Sequence, residues 1–188
     1  MTMLYIILLF ILTGTCCDTD RDILESISKS ERQFYTKRIV PESAGHKVNK
    51  TSYRSIVKRK TSIREQVLAK IKEADSDFSL GSFDTFYLAE GADGAYGYGF
   101  IWSDSLLISY SYDPLKGEVS TRYRNKNDFF KSYEGSFLNA VDNWGDDLKQ
   151  KPIWSNPSLM GGLCYFVTKI DLSKPECTFE TIGLYEFR

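Results

Sequence analysis

Chemistry near neutral pH most often needs an imidazole, a thiolate activated by one, or two carboxylates of different basicity. The chain carries a single histidine, His46, inside the polar, irregular stretch PESAGHKVNK, where an imidazole reads as a solvated side chain rather than a general base. With His46 outside any patterned element and no G-x-S-x-G turn, Ser-His-Asp and Cys-His arrangements are close to excluded. Zinc would need three or four convergent nitrogen or sulfur ligands, and none are clustered. The stretch EGADG offers only Glu90 and Asp93 as oxygen ligands, short of a calcium loop. The glycines of GADGAYGYG fall inside a hairpin pattern, not between a strand and a helix, so they make no phosphate cradle. No metal and no cofactor is expected. What remains for catalysis is paired carboxylates acting as acid and base: Asp84 with Glu90 on a first strand, or Asp142, Asp146 and Asp147 on a later helix. Acidic residues on solvent-facing helices are commonplace and argue weakly for it.

Side chains that could bind rather than react are placed by strand pattern. From Asp84 to Arg124 the apolar period is two, in four runs: 84–90, AYGYGFIW, LLISYSY and EVSTRYR, separated by GADG, SDS and DPLKG. That predicts an antiparallel meander. Pairing the middle runs about Asp104 sets Trp102 opposite Leu106, Phe100 opposite Ile108, Tyr98 opposite Tyr110 and Tyr96 opposite Tyr112, all on one face. In DPLKG, Pro114 suits a φ near −65° and Gly117 a positive φ, so a four-residue turn adds Val119, Thr121 and Tyr123 to that face. The opposite face collects Gly97, Gly99, Ser109, Ser111, Ser120, Arg122 and Arg124, with Phe86 and Leu88 expected over the glycines. Ser109, Ser111, Ser120, Arg122 and Arg124 are therefore the candidate partner-binding face, because arginines among small residues admit an anionic or planar group. The plain alternative is the solvated side of a one-sided sheet. The tyrosines and tryptophan of the other face read as core rather than as a carbohydrate platform, since a cover for them follows.

That cover is DFFKSYEGSFLNAVDNWGDDLKQ, with Phe130, Tyr133, Phe137, Val141, Trp144 and Leu148 at steps of three and four. A first helix is expected from a capping box at Ser62 and Glu65, with Ile63, Val67, Leu68, Ile71 and Ala74 on one side. GLCYFVTKIDL and CTFETIGLYEF make a closing hairpin around SKPE, in which Leu172 faces Cys177. Cys164 would then lie about 26 Å along its strand from that position, too far for a disulfide with Cys177. The expected fold is α+β: a four-stranded antiparallel meander plus a C-terminal hairpin, one face covered by an amphipathic helix, with a further helix at the start of a domain spanning 61–188.

With 188 residues, 42% hydrophobic and 14% aromatic, there is material for one packed core, and a net charge of −1 gives no field favouring nucleic acid. Ahead of the domain, residues 16–60 are charged and poor in large apolar side chains, a tether with one short amphipathic helix possible over Ile23, Leu24, Ile27 and Phe34. Its basic run over 47–64, including Lys60 and Arg64, reads as a solvated linker; contact with anionic headgroups or a polyanion is the other reading. Residues 3–15, MLYIILLFILTGT, are too short to span a bilayer and have the length of a secretory leader, though no Lys or Arg precedes them. A leader is assigned to residues 1–15.

The end of that leader, Thr13, Gly14, Thr15, Cys16, resembles a bacterial lipoprotein signal, in which small residues precede an acylated cysteine. Leu three before the cysteine and Gly, Ala or Ser just before it are the usual pattern, and here both places hold Thr. Cys17 is the alternative anchor. The acidic Asp18, Asp20 and Asp22 resemble the surface-export signals of some Gram-negative lipoproteins. The resemblance implies lipid attachment at Cys16 and a place in the cell envelope, anchored to a membrane; soluble secretion or a periplasmic address is the alternative. The expectation for function is a non-enzymatic binding or inhibitory, immunity-like domain with a protein partner in the envelope and no nucleic acid. A small His-independent carboxylate hydrolase of envelope polymer is the second reading. A structural subunit assembling through an apolar edge at 163–171 is the third.

Overall fold

The structure is a computed structural model that describes residues 17, 19–36, 50–91, 97–132, 135, 138, 141, 160–174 and 176–187. Within them the order is α1 (Asp20–Phe34), α2 (Lys50–Ala74), a single 3-10 turn (Leu80–Ser82), β1 (Thr85–Gly91), β2 (Gly97–Trp102), β3 (Leu107–Asp113), β4 (Glu118–Tyr123), α3 (Lys126–Phe130), β5 (Met160–Asp171) and β6 (Thr178–Phe187). The six strands form one open antiparallel sheet ordered β4-β3-β2-β1-β5-β6. The α+β class read from the sequence is the fold observed.

The helix α1 is part of this body. Its start is fixed by a capping box: the Thr19 hydroxyl accepts from the Asp22 amide, and the Asp22 carboxylate accepts from the Thr19 amide. Ile23, Leu24 and Ile27 follow at helical spacing and are buried against α2 and the sheet. Asp20 secures the same turn by accepting from the Leu80 amide at 2.7 Å, the Ser79 hydroxyl at 3.0 Å and Lys72 Nζ at 2.6 Å. Burial alone would raise the Asp20 carboxyl, but these partners, Lys72 first, hold it below the usual carboxylate range. The short amphipathic helix expected over Ile23, Leu24, Ile27 and Phe34 is thus present, and its buried face belongs to the core rather than to a tether. α2 likewise starts at Lys50, and Ser62 stands inside it rather than capping it. Its buried stripe of Val57, Ile63, Val67 and Ile71 lies on the same sheet face as α1.

Two turns decide which side chains share a face. In DPLKG the Gly117 amide donates to the Asp113 carbonyl at 2.8 Å, the Asp113 carboxylate accepts from the Leu115 and Lys116 amides, and Gly117 takes φ of 70°. Tyr112 accordingly pairs with Val119, Tyr110 with Thr121 and Ile108 with Tyr123, as the sequence predicts. The β2–β3 turn departs from expectation. The Ser103 amide donates to the Leu106 carbonyl at 2.9 Å, closing the turn through Asp104 and Ser105, and Trp102 pairs with Leu107 instead of Leu106. A slip of one residue moves every partner to the other face. Tyr98, Phe100 and Trp102 thus lie with Leu107, Ser109 and Ser111, whereas Ile108, Tyr110 and Tyr112 lie with Gly97, Gly99 and Ile101.

Both faces are consequently covered. One carries Phe86, Leu88, Ile101, Ile108, Tyr110 and Ile170 beneath α1 and α2. The other carries Ala89, Phe100, Trp102, Leu107, Tyr165, Val167 and Ile182 beneath Phe129 of α3, Leu138 and Val141. Phe129, not Phe130, is the fully buried ring, stacked at a tilt 4.9 Å from Phe100. Tyr96, Tyr133, Phe137, Trp144 and Leu148 lie outside the described residues. Asp171 pairs with Thr178, which sets Leu172 opposite Cys177 as expected, and Cys177 is a free thiol. β5 pairs with both β1 and β6 over 165–171, so that part of the strand is interior and is not the edge expected for assembly.

Candidate functional site

The register of β3 and β4 brings the sequence-predicted binding residues together. Ser109 stands opposite Arg122 and Ser111 opposite Ser120, on one face. Arg124 Nε donates to the Ser109 hydroxyl at 2.8 Å, and that hydroxyl donates to the Arg122 carbonyl at 3.3 Å. The Arg124 guanidinium also lies 6.0 Å from the centre of the Phe129 ring, a cation–π placement at the margin of the buried aromatic cluster. Asn125 caps α3 by accepting from the Asp128 amide, which turns the chain away just beyond Arg124. The outcome is an open concavity of about 620 Å³ lined by Arg122, Tyr123, Arg124, Asn125, Asp128, Phe129 and Ser132. Among the described residues neither arginine has a carboxylate partner within ion-pair distance. Ser111, Ser120, Arg122 and Arg124 are exposed and Ser109 is half-buried.

One part of the expectation is corrected. The five residues are not on the face opposite the later helical cover: they share it with Phe100, Trp102 and α3, because of the slip at Asp104–Ser105. Among the described residues the cover of Phe129, Leu138 and Val141 packs on Ala89, Phe100, Trp102, Leu107, Tyr165, Val167 and Ile182, and the two arginines are exposed beside it.

A second concentration of charge was missed in the sequence. Glu31 of α1, Lys60 and Arg64 of α2 and Glu90 of β1 are all buried between the helices and the sheet, between 1% and 7% exposed. Lys60 Nζ donates to Glu31 Oε1 at 2.6 Å and lies 3.4 Å from Glu90 Oε2. Arg64 donates from Nε to Glu90 Oε1 at 2.8 Å, from Nη2 to Glu31 Oε2 at 2.7 Å and to Glu90 Oε2, and from Nη1 to the Ser28 hydroxyl at 2.8 Å. The Tyr110 hydroxyl donates to Glu90 Oε1 at 2.9 Å. Gly99, between Glu90 and Tyr110 in the register, makes that last contact possible: a Cβ there would run into the Tyr110 ring and the Ala89 carbonyl. So Glu90 and Tyr110, not Phe86 and Leu88, flank this glycine.

Burial alone would push the Glu90 carboxyl up, but the Arg64 and Lys60 charges and the hydrogen bonds from Arg64 and Tyr110 outweigh it and hold it at about 2. Burial, reinforced by Glu90, pushes the Tyr110 phenol well above its usual value. Neither group is poised to exchange protons near neutrality. The cavity beside them, bounded by Lys60, Ile63, Gly97 and Tyr98, holds about 20 Å³, room for one water and not for a substrate. The cluster is a neutral structural joint between three elements. Its trace in the sequence is Glu31, Lys60 and Arg64 standing on the apolar stripes of their helices, and Glu90 continuing the inward alternation of Phe86 and Leu88.

Of the candidate carboxylate pairs only Asp84 with Glu90 lies among the described residues, and the two are not brought together. Asp84 and Glu90 are six residues apart along one extended segment, roughly 20 Å, beyond any acid–base pair in glycoside hydrolysis, and Glu90 is engaged by two cations. His46, Asp93, Asp142, Asp146 and Asp147 lie outside the described residues, as does Cys16. Among the described residues no group of three or more His, Cys, Asp or Glu converges, and no helix is long and apolar enough to cross a membrane. No protein-family model matches the chain, and comparison with curated proteins and with solved structures returns no match.

Proposed function

We propose that the chain is a non-catalytic binding domain of the cell envelope, held there through its N-terminus, that recognises an anionic surface of a protein partner through Ser109, Ser111, Ser120, Arg122 and Arg124. The observation that carries the reading is the pair of arginines at an open concavity, neither ion-paired among the described residues although Asp128 also lines it, and one of them already oriented by Ser109 and Phe129. A preorganised guanidinium loses less freedom on binding a carboxylate than a mobile one does. An inhibitory or immunity-like role belongs to this reading, since covering an anionic surface of another protein is the act such a domain performs.

The packing of Cys17 bears on which cysteine would carry a lipid. Cys17 is half-buried against the core cluster that contains Ile23 and Ile27, so acylating its sulfur would pull the side chain off that core. Cys16 is thus the better attachment point, which agrees with the lipoprotein-like leader. The test is affinity capture from envelope extract with the full chain and with an Arg122→Glu/Arg124→Glu variant, reading both the captured protein and the mature N-terminus by mass spectrometry. An anionic partner retained by the wild type and lost by the variant, at unchanged thermal stability, is expected. Equal capture by both proteins overturns the recognition face, and a mature chain beginning at unmodified Asp18 overturns the lipid anchor.

A further inference from the structure

β4 is an edge strand, and its free side is self-complementary. The Arg124 amide donates to the Leu107 carbonyl at 2.9 Å, so Arg124 and, by alternation, Arg122, Ser120 and Glu118 turn their backbone groups inward to β3. Val119, Thr121 and Tyr123 therefore direct their N–H and C=O groups outward, along an edge that has no neighbouring strand among the described residues. Natural edges are usually blunted by shortness, charge, bulges, prolines or a covering element; β4 is six residues long, carries Glu118 and Arg122 and touches α2, but its charges are of both signs. This one is regular through all six residues, free of proline and exposed at Glu118, Ser120, Arg122 and Tyr123.

We propose that two copies of this chain pair antiparallel through β4, about a two-fold axis at Thr121, to make one continuous sheet. The hydrogen-bonding phase permits it: Thr121 meets Thr121 of the second copy, and Val119 meets Tyr123 of the second copy, so outward-directed groups meet outward-directed groups on every rung. The side chains agree on both faces. On the helix side, Tyr123, one of two large apolar residues exposed among those described, at 46%, lands on the half-buried Val119 of the second copy. On the other side, Glu118 lands on Arg124 of the second copy and Ser120 on Arg122 of the second copy. The Glu118–Arg124 match cannot arise within one chain, because six residues of strand hold these side chains roughly 20 Å apart. Such a closed, isologous arrangement uses both edges and leaves no open end for further growth there.

The interface is small and belongs with weak associations, which anchoring on a common surface would favour by raising local concentration. The test is sedimentation equilibrium of the full chain in density-matched detergent. Wild type is expected to dimerise reversibly, and Glu118→Arg or Arg124→Glu to weaken the dimer by roughly tenfold, since each places like charges on two rungs. The double variant Glu118→Arg/Arg124→Glu, which restores opposite charges only between copies, is expected to recover the wild-type constant to within about threefold. Thr121→Pro removes an outward N–H and no intrachain ladder bond, so it is expected to abolish the dimer while the monomer unfolds as before. A wild type still monomeric at about 100 micromolar overturns the proposal. So does failure of the double variant to rescue, or a Thr121→Pro protein that dimerises normally. Thr121→Pro keeps Arg122 and Arg124, so a lost dimer with partner capture retained separates this proposal from the recognition face.

Discussion

Replacing Arg64 with methionine is the sharpest perturbation of the fold. The change removes the hydrogen bonds to Glu90, Glu31 and Ser28 and leaves two carboxylates, 1% and 5% exposed, sharing the single cation Lys60. Breaking a buried pair from one side costs about 3–5 kcal/mol, because the abandoned charge stays out of water. Protonation offers an independent measure. Glu90 moves from an ordinary value of 4.5 to about 2 on folding. At 1.36 kcal/mol per unit this is worth about 3 kcal/mol, present above pH 4.5 and lost as pH falls through 2. Urea unfolding at pH 7 should therefore show Arg64→Met less stable by about 3–5 kcal/mol, out of a total of about 5–15 for a domain of this kind. The double variant Arg64→Met/Glu90→Gln restores neutrality with Glu31 and Lys60 and should lose only about 1–3 kcal/mol. Near pH 3 the gap between wild type and Arg64→Met should narrow, because in the variant Glu90 takes up a proton at the loss of only its longer contact with Lys60, which keeps Glu31 as partner. Equal losses in single and double variants, or a gap independent of pH, would refute the reasoning.

Gly99→Ala should cost about 1–3 kcal/mol in thermal or urea unfolding, since the new methyl meets the Ala89 backbone, which cannot yield, as well as the Tyr110 ring. A wild-type melting temperature in that variant would mean that Glu90 and Tyr110 do not need the glycine between them. Ile27→Ala, at a side chain 1% exposed, should cost about 2–5 kcal/mol, whereas a helix riding loosely on a tether would tolerate it with no change in the unfolding midpoint.

What could be read from the sequence depended on turns. DPLKG specifies its own geometry through Asp113, Pro114 and Gly117, so the β3–β4 register, and with it the grouping of Ser109, Ser111, Ser120, Arg122 and Arg124, was legible. The β5–β6 register across SKPE, with Leu172 opposite Cys177, was legible as well. The stretch SDS contains no residue that demands a particular φ, and a turn closed by Ser103 and Leu106 is as compatible with it as one centred on Asp104. That ambiguity of one residue hid which side of the sheet the arginines occupy. The helices were misjudged through charge. Lys60 and Arg64 belong to a basic run and Glu31 to a polar helix, so each alone looks solvated. Only the three-dimensional meeting with Glu90 makes their burial tolerable, and composition cannot report that meeting.

The docking of α1 fixes how an anchored chain would stand. Cys16 precedes the capped Thr19 by three residues, a reach of roughly 10 Å when fully extended. Lipid at Cys16 would therefore hold the first turn of α1, with its partners Lys72, Ser79 and Leu80, close to the bilayer. α1 packs on the sheet face that carries Phe86 and Tyr110, and the arginines stand on the face that carries Phe100 and Trp102. A two-fold axis relating β4 to its copy runs along the sheet normal, so both anchors leave on the helix side and both sets of arginines look away from it. Attachment and recognition then draw on opposite sides of the domain, while pairing shares Ser120, Arg122 and Arg124 with the recognition face, and a partner need not displace headgroups to reach Arg122. Binding of that partner should be as tight on vesicles as in detergent; an affinity that falls on anionic vesicles would mean that the arginines face the lipid, and the helix side would then be the one turned outward.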